Sequence, residues 1–316
     1  MKKAFEKLNL RDYGVLLGFL ALCIAISIAT PSFLGKQNIL NLLRQSSIIG
    51  IISAGMTFVI ISGNFDISVG AVAALAGAIT MKFATGGTNL FASMFLGVAI
   101  CAVIGLINGI VVAKINVPSL IATMAMVTIV RGLLLMLTGG YPITENIPIL
   151  DYIGNGYLFS IPIPVVIFFI VVLASFIVLN KTKFGRYVYS VGGNQEASKL
   201  NGINVDSHKV KVFIINAVLA GIAGIVLTGR LGTATAIAGE GYDMDAIASV
   251  VIGGTSVAGG SGSVLKTVIG VLLMSVINNS FNLLGIDVYF QYIFKGLIIL
   301  AAVGFDSYSK KKLASR

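Results

Sequence analysis

Apolar residues in this chain gather in long runs parted by short polar breaks. The runs cover residues 13–30, 46–62, 71–83, 91–113, 118–138, 161–179, 210–228, 246–257, 264–281 and 288–304. A helix needs roughly 20 predominantly apolar residues to cross the hydrocarbon layer of a membrane. Most of the runs meet or approach that length, and 71–83 and 246–257 fall short of it. The pattern predicts an all-α, polytopic integral membrane helical bundle of about ten transmembrane segments, some of them broken. Residues 1–316 read as a single transmembrane domain, with one long polar loop over 180–209. Residues 32–45 read as polar, with a short surface helix around 38–44, and 139–160 as a long acidic loop. The stretch 1–29 has a basic start and an apolar core, as a signal peptide does, and Ser27-Ile28-Ala29 makes a weak cleavage match. The spans that follow favour an uncleaved first helix.

Composition agrees with this layout. Hydrophobic residues make up 57% of the chain and charged residues 11%, with a mean hydropathy of +0.98. Soluble domains carry about 25% charged residues, so a soluble enzyme, a disulfide-stapled secreted domain and a disordered chain are excluded. The net charge of +10 reflects basic residues concentrated in cytoplasmic loops rather than a nucleic-acid partner. With the N-terminus inside, 16 of the 22 Lys and Arg residues fall on the cytoplasmic side. Lys36, Arg44, Lys82 and Arg230 fall outside, and Arg131 and Lys295 lie within spans. Both termini are therefore expected in the cytoplasm. Cys23 and Cys101 sit in apolar runs as small hydrophobes, and His208 is the single histidine, so no metal set can be assembled.

Two units repeat weakly. The second and third runs are joined by Gly63 to Gly70, and the eighth and ninth by Gly259-Gly260-Ser261-Gly262. Gly-interrupted hydrophobic segments in corresponding places point to a transport pathway, although glycines also serve close helix packing. Irregular backbone at membrane depth survives only beside protein or a water-filled cavity. That makes Asn64 and Asp66 candidates for the pathway, the alternative being an ordinary turn at the cytoplasmic surface. Arg131 needs a partner inside the bundle, for which Asp66 is the nearest residue type available. Lys295 needs one less strictly, since its long stem can snorkel. For both, structural pairing stands beside substrate contact. Asn108, Asn216, Asn278 and Asn279 also lie within runs, where interhelical hydrogen bonds account for most such residues. Residues 253–262 fit neither nucleotide-loop template, and no nucleophile–base constellation can be built.

The loop 180–209 carries its own signal. Asn194 is placed to cap a short helix and Gly202 to end it in the left-handed conformation. Glu196 and Lys199 suit the two ends of the helix dipole. Such a helix presents a compact knob to a soluble partner, or rests on anionic lipid.

Four segments, in order, resemble one family. Phe184-Gly185-Arg186, Gly193-Asn194-x-Glu196-Ala197 and Gly202-Ile203 are similar to the coupling loop of sugar-type ABC transporter permeases. These are the membrane subunits of the ribose and galactose importers, related more distantly to branched-chain amino-acid permeases. Gly55 to Ile60 with Ser62 to Gly70 resembles the signature of that family's second span. Asn108-Gly109 and Pro118 to Thr123 with Arg131-Gly132 resemble its fourth and fifth spans. Asn278-Asn279-x-x-Asn282-Leu283-Leu284-Gly285, with Tyr289-x-Gln291 and Lys295-Gly296, resembles its C-terminal end and favours the ribose-like branch. Where the family usually has Gly-Ile before the Asp, this chain has Asn64-Phe65, and Phe290 stands where a Trp is common. A sugar other than ribose would fit those departures.

The resemblance implies a permease of a bacterial inner-membrane importer, not itself an enzyme. It implies a second permease copy or a paralogue, a cytoplasmic ATPase and an extracytoplasmic solute-binding protein. ATP and Mg would be held by the ATPase, and no cofactor by this chain. Gly185, Arg186, Gly193, Asn194, Glu196, Ala197 and Gly202 would couple to the ATPase. Asn64, Phe65, Asp66, Ser68, Asn108, Asn278 and Asn279 would line the path. Permeases for branched-chain amino acids or nucleosides are the nearest alternatives. An ion-coupled secondary transporter would need buried acids, for which only Asp66 is available.

Overall fold

The computed structural model describes residues 10–314. The orientation counted on Lys2, Lys3, Lys7 and Arg316, and the two termini themselves, lies outside the described residues. Each apolar run becomes a helix. In chain order these are α1 (Leu10–Ala29), α2 (Lys36–Ile61), α3 (Val69–Thr85), α4 (Leu90–Ala113) and α5 (Ser119–Thr138). After a short α6 (Pro148–Asn155) come α7 (Ile163–Lys181), α8 (Lys183–Gly193), α9 (Gln195–Leu200) and α10 (Val205–Leu231). The last three are α11 (Tyr242–Ile252), α12 (Val264–Leu283) and α13 (Val288–Ala314). Among the described residues, six of them, α2, α4, α5, α7, α10 and α12, are long and apolar enough to cross a membrane.

Local chemistry sets the ends. Asn89 accepts from the Phe91 amide at 2.9 Å to start α4, and Asn204 accepts from that of Ser207 at 3.0 Å to start α10. Gly139 and Gly232 end α5 and α10 in the left-handed conformation. β1 (Ile143–Thr144) pairs antiparallel with β4 (Thr233–Ala234), and β2 (Tyr157–Leu158) with β3 (Ile161–Pro162). The hairpin between β2 and β3 turns on Phe159 and Ser160, both at positive φ, as a two-residue type I′ turn requires.

Helix α10 is the hub and packs against α2, α3 and α4. Its approach to α4 is close enough that a Cβ at Gly105 would stand 2.6 Å from the carbonyl oxygen of Phe213. Small residues permit such contact where lipid offers no hydrophobic drive to associate. α7 packs on the outer side of α2, α12 on α2 and α11, and α13 touches the bundle chiefly through α11.

Three local expectations change. The surface helix around 38–44 is the first part of α2, which runs unbroken from Lys36. Two of its polar residues, Asn38 and Arg44, find protein partners. Asn38 and Asn279 exchange amide hydrogen bonds at 2.8 and 3.0 Å. Arg44, placed in an outside loop from the sequence, is buried, donates to the Asn155 carbonyl at 3.1 Å and lies over the Tyr157 ring. The acidic loop 139–160 contains α6, which packs on α10. The first part of 180–209 is helix α8, whose Gly185, Val188 and Val191 are buried.

Candidate functional site

The corner between α8 and α9 begins at Thr182, whose Oγ1 accepts from the Gly185 amide at 3.1 Å. Gly185 is buried against the end of α7, where any side chain would collide with the Leu179 carbonyl. Asn194 then breaks the helix in extended conformation and caps α9, accepting from the Ala197 amide at 2.9 Å. Gly202 closes α9 at φ +76°. α9 is held from behind by Ser190 and Ser198 at 2.9 Å and by Lys209 donating to Gln195 at 2.9 Å. Its outer face is free. The Glu196 side chain is 82% exposed and pairs loosely with Lys199 at 3.4 Å, and Leu200 is 89% exposed. Arg186, Gly193, Asn194 and Ala197 are exposed beside them.

The corner is anchored to both breaks of the weak repeat. Helix α2 ends at Ile61, and the Ile61 carbonyl accepts from the Gly260 amide at 2.8 Å. Gly192 lies against the same carbonyl and against the Gly260 nitrogen, so closely that a Cβ there would overlap both. Gly63 (φ +79°), Gly259 (φ +83°) and Gly260 (φ +74°) supply backbone shapes that other residues rarely adopt. Tyr189 adds a hydrogen bond from its hydroxyl to the Gly262 carbonyl at 3.0 Å, and burial pushes its phenol above the ordinary range. The break at Gly63 thus sits at the same end of the bundle as α8 and α9.

Beyond the break, the polar residues turn on one another. Asp66 accepts from the Ser68 amide at 2.9 Å, from the Ser68 hydroxyl, and from Asn216 at 2.9 Å. Asn108 donates to the Ser68 hydroxyl at 3.1 Å. Asp66, Ser68, Asn108 and Asn216 are all fully buried. This network ties the break to α4 and α10. Asn64 donates to Ser62 at 3.1 Å, and the amides of Phe65 and Ile67 donate to Ser119 and Thr123 on α5.

Among the described residues no group of acids, His and Cys could hold a metal ion. Residues 38–303 match the family described as the permease component of branched-chain amino acid transport systems. The chain belongs to that permease family. The ribose import permease protein of Haemophilus influenzae is 44% identical over 303 residues, covering 93% of this chain and 94% of that one. Its counterpart in Bacillus subtilis is 43% identical, covering 94% and 93%, and the L-arabinose transport system permease protein of Escherichia coli is 35% identical, covering 95% and 92%. No solved structure matches the chain. The family expected from the motifs is therefore the right one, and the molecule is a multi-pass membrane transport subunit.

Within the permease, Asn64, Phe65, Asp66, Ser68 and Asn108 come together, and Asn278 and Asn279 stand apart from them. Asn279 belongs to the Asn38 pair. Asn278 is buried on α12, and Asp245, buried on α11, forms an ion pair with the partly buried Lys295 at 3.0 Å. Asp245 is itself 4% exposed. It lies one turn inside α11, where the cation of α13 needs a counter-charge. Asp66, the nearest residue type for Arg131 in the sequence, is held by Asn216 and Ser68. Arg131 donates instead to the carbonyls of Ala236 and Ala238, the latter at 3.2 Å. Gly192 and Tyr189 had no signal of their own, since their partners are backbone atoms distant in sequence.

Proposed function

We propose that the permease is the membrane subunit of an ATP-driven importer for a ribose-like monosaccharide in the bacterial inner membrane. The observation that carries this reading is α9. It is an exposed, capped knob held rigidly on the end of α8 and joined through Gly192 to the breaks after α2 and before α12. A cytoplasmic ATPase that takes hold of such a knob moves both breaks at once. That division of labour agrees with a chain that offers no nucleotide loop. On this reading about ten helices span the membrane, both termini are cytoplasmic, and a second permease copy completes the pore. ATP and Mg reside on the ATPase, and a solute-binding protein delivers the sugar from outside. The relatives named as ribose and L-arabinose permeases support the choice of solute.

The test is uptake into membrane vesicles holding the permease, its ATPase and the binding protein. ATP-dependent accumulation of labelled ribose, exceeding that of leucine or a nucleoside, is the expected result. Ribose uptake by the permease reconstituted alone, driven by an ion gradient, overturns the reading in favour of a secondary transporter.

A further inference from the structure

The polar network at Asp66 has its polar atoms turned inward, so a solute in transit would have to break it to touch it. The structure offers a different wall. An open cavity of about 650 Å³ lies between α5 and the loop that leads from β4 into α11. Ile67, just before α3, Gly70 in its first turn, and Thr128, Arg131, Glu240 and Asp243 line it. A second cavity of about 590 Å³ shares Glu240 and Tyr292 with the first and continues along α13 to Gln291 and Lys295. Both volumes fall within the ~300–1,000 Å³ of small-molecule sites.

The charges on this wall have no counterpart on the lipid-facing helices. Over α4 and residues 163–179 of α7 the exposed side chains are apolar, among them Phe95, Leu106, Ile170 and Phe169, the last 65% exposed, and the exposed polar residues Asn180 and Lys181 stand only where α7 ends. An ionisable group at membrane depth faces protein or water, not hydrocarbon. Arg131 spends Nη1 on the carbonyls of Ala236 and Ala238, which leaves its other guanidinium donors toward the cavity. Donors at Arg131 thus stand with acceptors at Glu240 and Asp243, and the Thr128 hydroxyl, which donates to the Met124 carbonyl, adds a further acceptor. The Tyr292 ring lines the same cavity. A sugar hydroxyl both donates and accepts, so mixed donor and acceptor walls suit a polyol better than an apolar amino-acid side chain.

We infer that this groove is the solute's path through the permease, with Arg131, Glu240 and Asp243 as its polar contacts. The inference rests on the reading of the chain as a sugar importer subunit. The groove is also connected to the breaks. Gly70 and Gly239 touch backbone to backbone, and a side chain at Gly70 would collide with the Gly239 carbonyl. Motion of the segment between α2 and α3 therefore carries the wall holding Arg131's carbonyl partners.

The experiment uses the assembled importer in vesicles, with Cys23 and Cys101 replaced by Ala. Single cysteines are introduced as Thr128→Cys, Tyr292→Cys and, on the lipid face, Phe169→Cys, and labelled with a membrane-impermeant maleimide. Thr128→Cys and Tyr292→Cys are expected to label at least tenfold faster than Phe169→Cys, and saturating ribose is expected to slow both. Glu240→Gln is expected to cut ribose uptake at least tenfold while the ATPase still co-purifies. Labelling no faster than at Phe169, or unchanged by ribose in vesicles that import ribose, overturns the groove and leaves the importer reading intact. Fast labelling slowed by another solute, in vesicles that import that solute and not ribose, upholds the groove and overturns the sugar.

Discussion

The Gly260 amide donates to the Ile61 carbonyl across 2.8 Å, and Gly192 lies pressed against both. One hydrogen bond therefore joins the last turn of α2 to the loop before α12, with the corner below α9 wedged beside it. A push on α9 reaches both breaks through backbone contact, with no flexible side chain between.

Gly192→Ala is expected to force these three segments apart, because the new methyl overlaps backbone atoms that have no rotamer to yield. ATP hydrolysis should continue while sugar uptake falls at least tenfold. Gly193→Ala is the contrast: its Cβ would meet only the Gly260 Cα, at 3.9 Å. Parallel assays of ATPase rate and uptake on both variants check this.

Glu196→Arg places a reversed charge on an exposed knob. Surface changes of this kind alter stability by about 0.5 kcal/mol or less, so the thermal midpoint in detergent should hold. Co-purification of the ATPase should be lost. Retained co-purification together with unimpaired uptake would show that α9 is not the docking element.

Asp245→Asn and Lys295→Met each leave half of a buried ion pair. The Lys295 side chain keeps 22% exposure against 5% for Asp245. The cost should therefore sit near the lower end of the ~3–5 kcal/mol for breaking such pairs. The double variant Asp245→Leu with Lys295→Met should recover most of that loss, since no uncompensated charge remains. Thermal unfolding of the three variants decides it.

Asp66→Asn turns a donor toward other donors. Asn216 and both donors of Ser68 point at the Asp66 oxygens, and one of these would face an amide NH₂. A buried donor left unpaired costs about 1–3 kcal/mol. Lower thermal stability is expected, with the fold and the ATPase contact preserved in the survivors.

Long-range pairing separated what was legible from what was not. Asn194 as a cap and Gly202 as a left-handed terminus were readable because both act within one helical turn. The need of Arg131 and Lys295 for partners was readable from their place in apolar runs. Their actual partners, the Ala236 and Ala238 carbonyls and Asp245, were not, because any acid or carbonyl of the bundle could have met that need. Asn38 and Arg44 looked solvent-facing for the same reason: their partners, Asn279 and Asn155, are far along the chain.

The sequence by itself determined that the chain is a helical membrane bundle, since its runs of apolar residues leave no other way to satisfy the backbone in lipid. It also determined the family and the local form of α9, which short-range motifs specify. Only the tertiary structure decided that Gly192 meets both breaks, that Asp66 is locked to Asn216, and that the open charged wall lies at Arg131 and Glu240. Those relations depend on which helix faces pack together, and hydropathy along one run carries no record of the neighbour it meets.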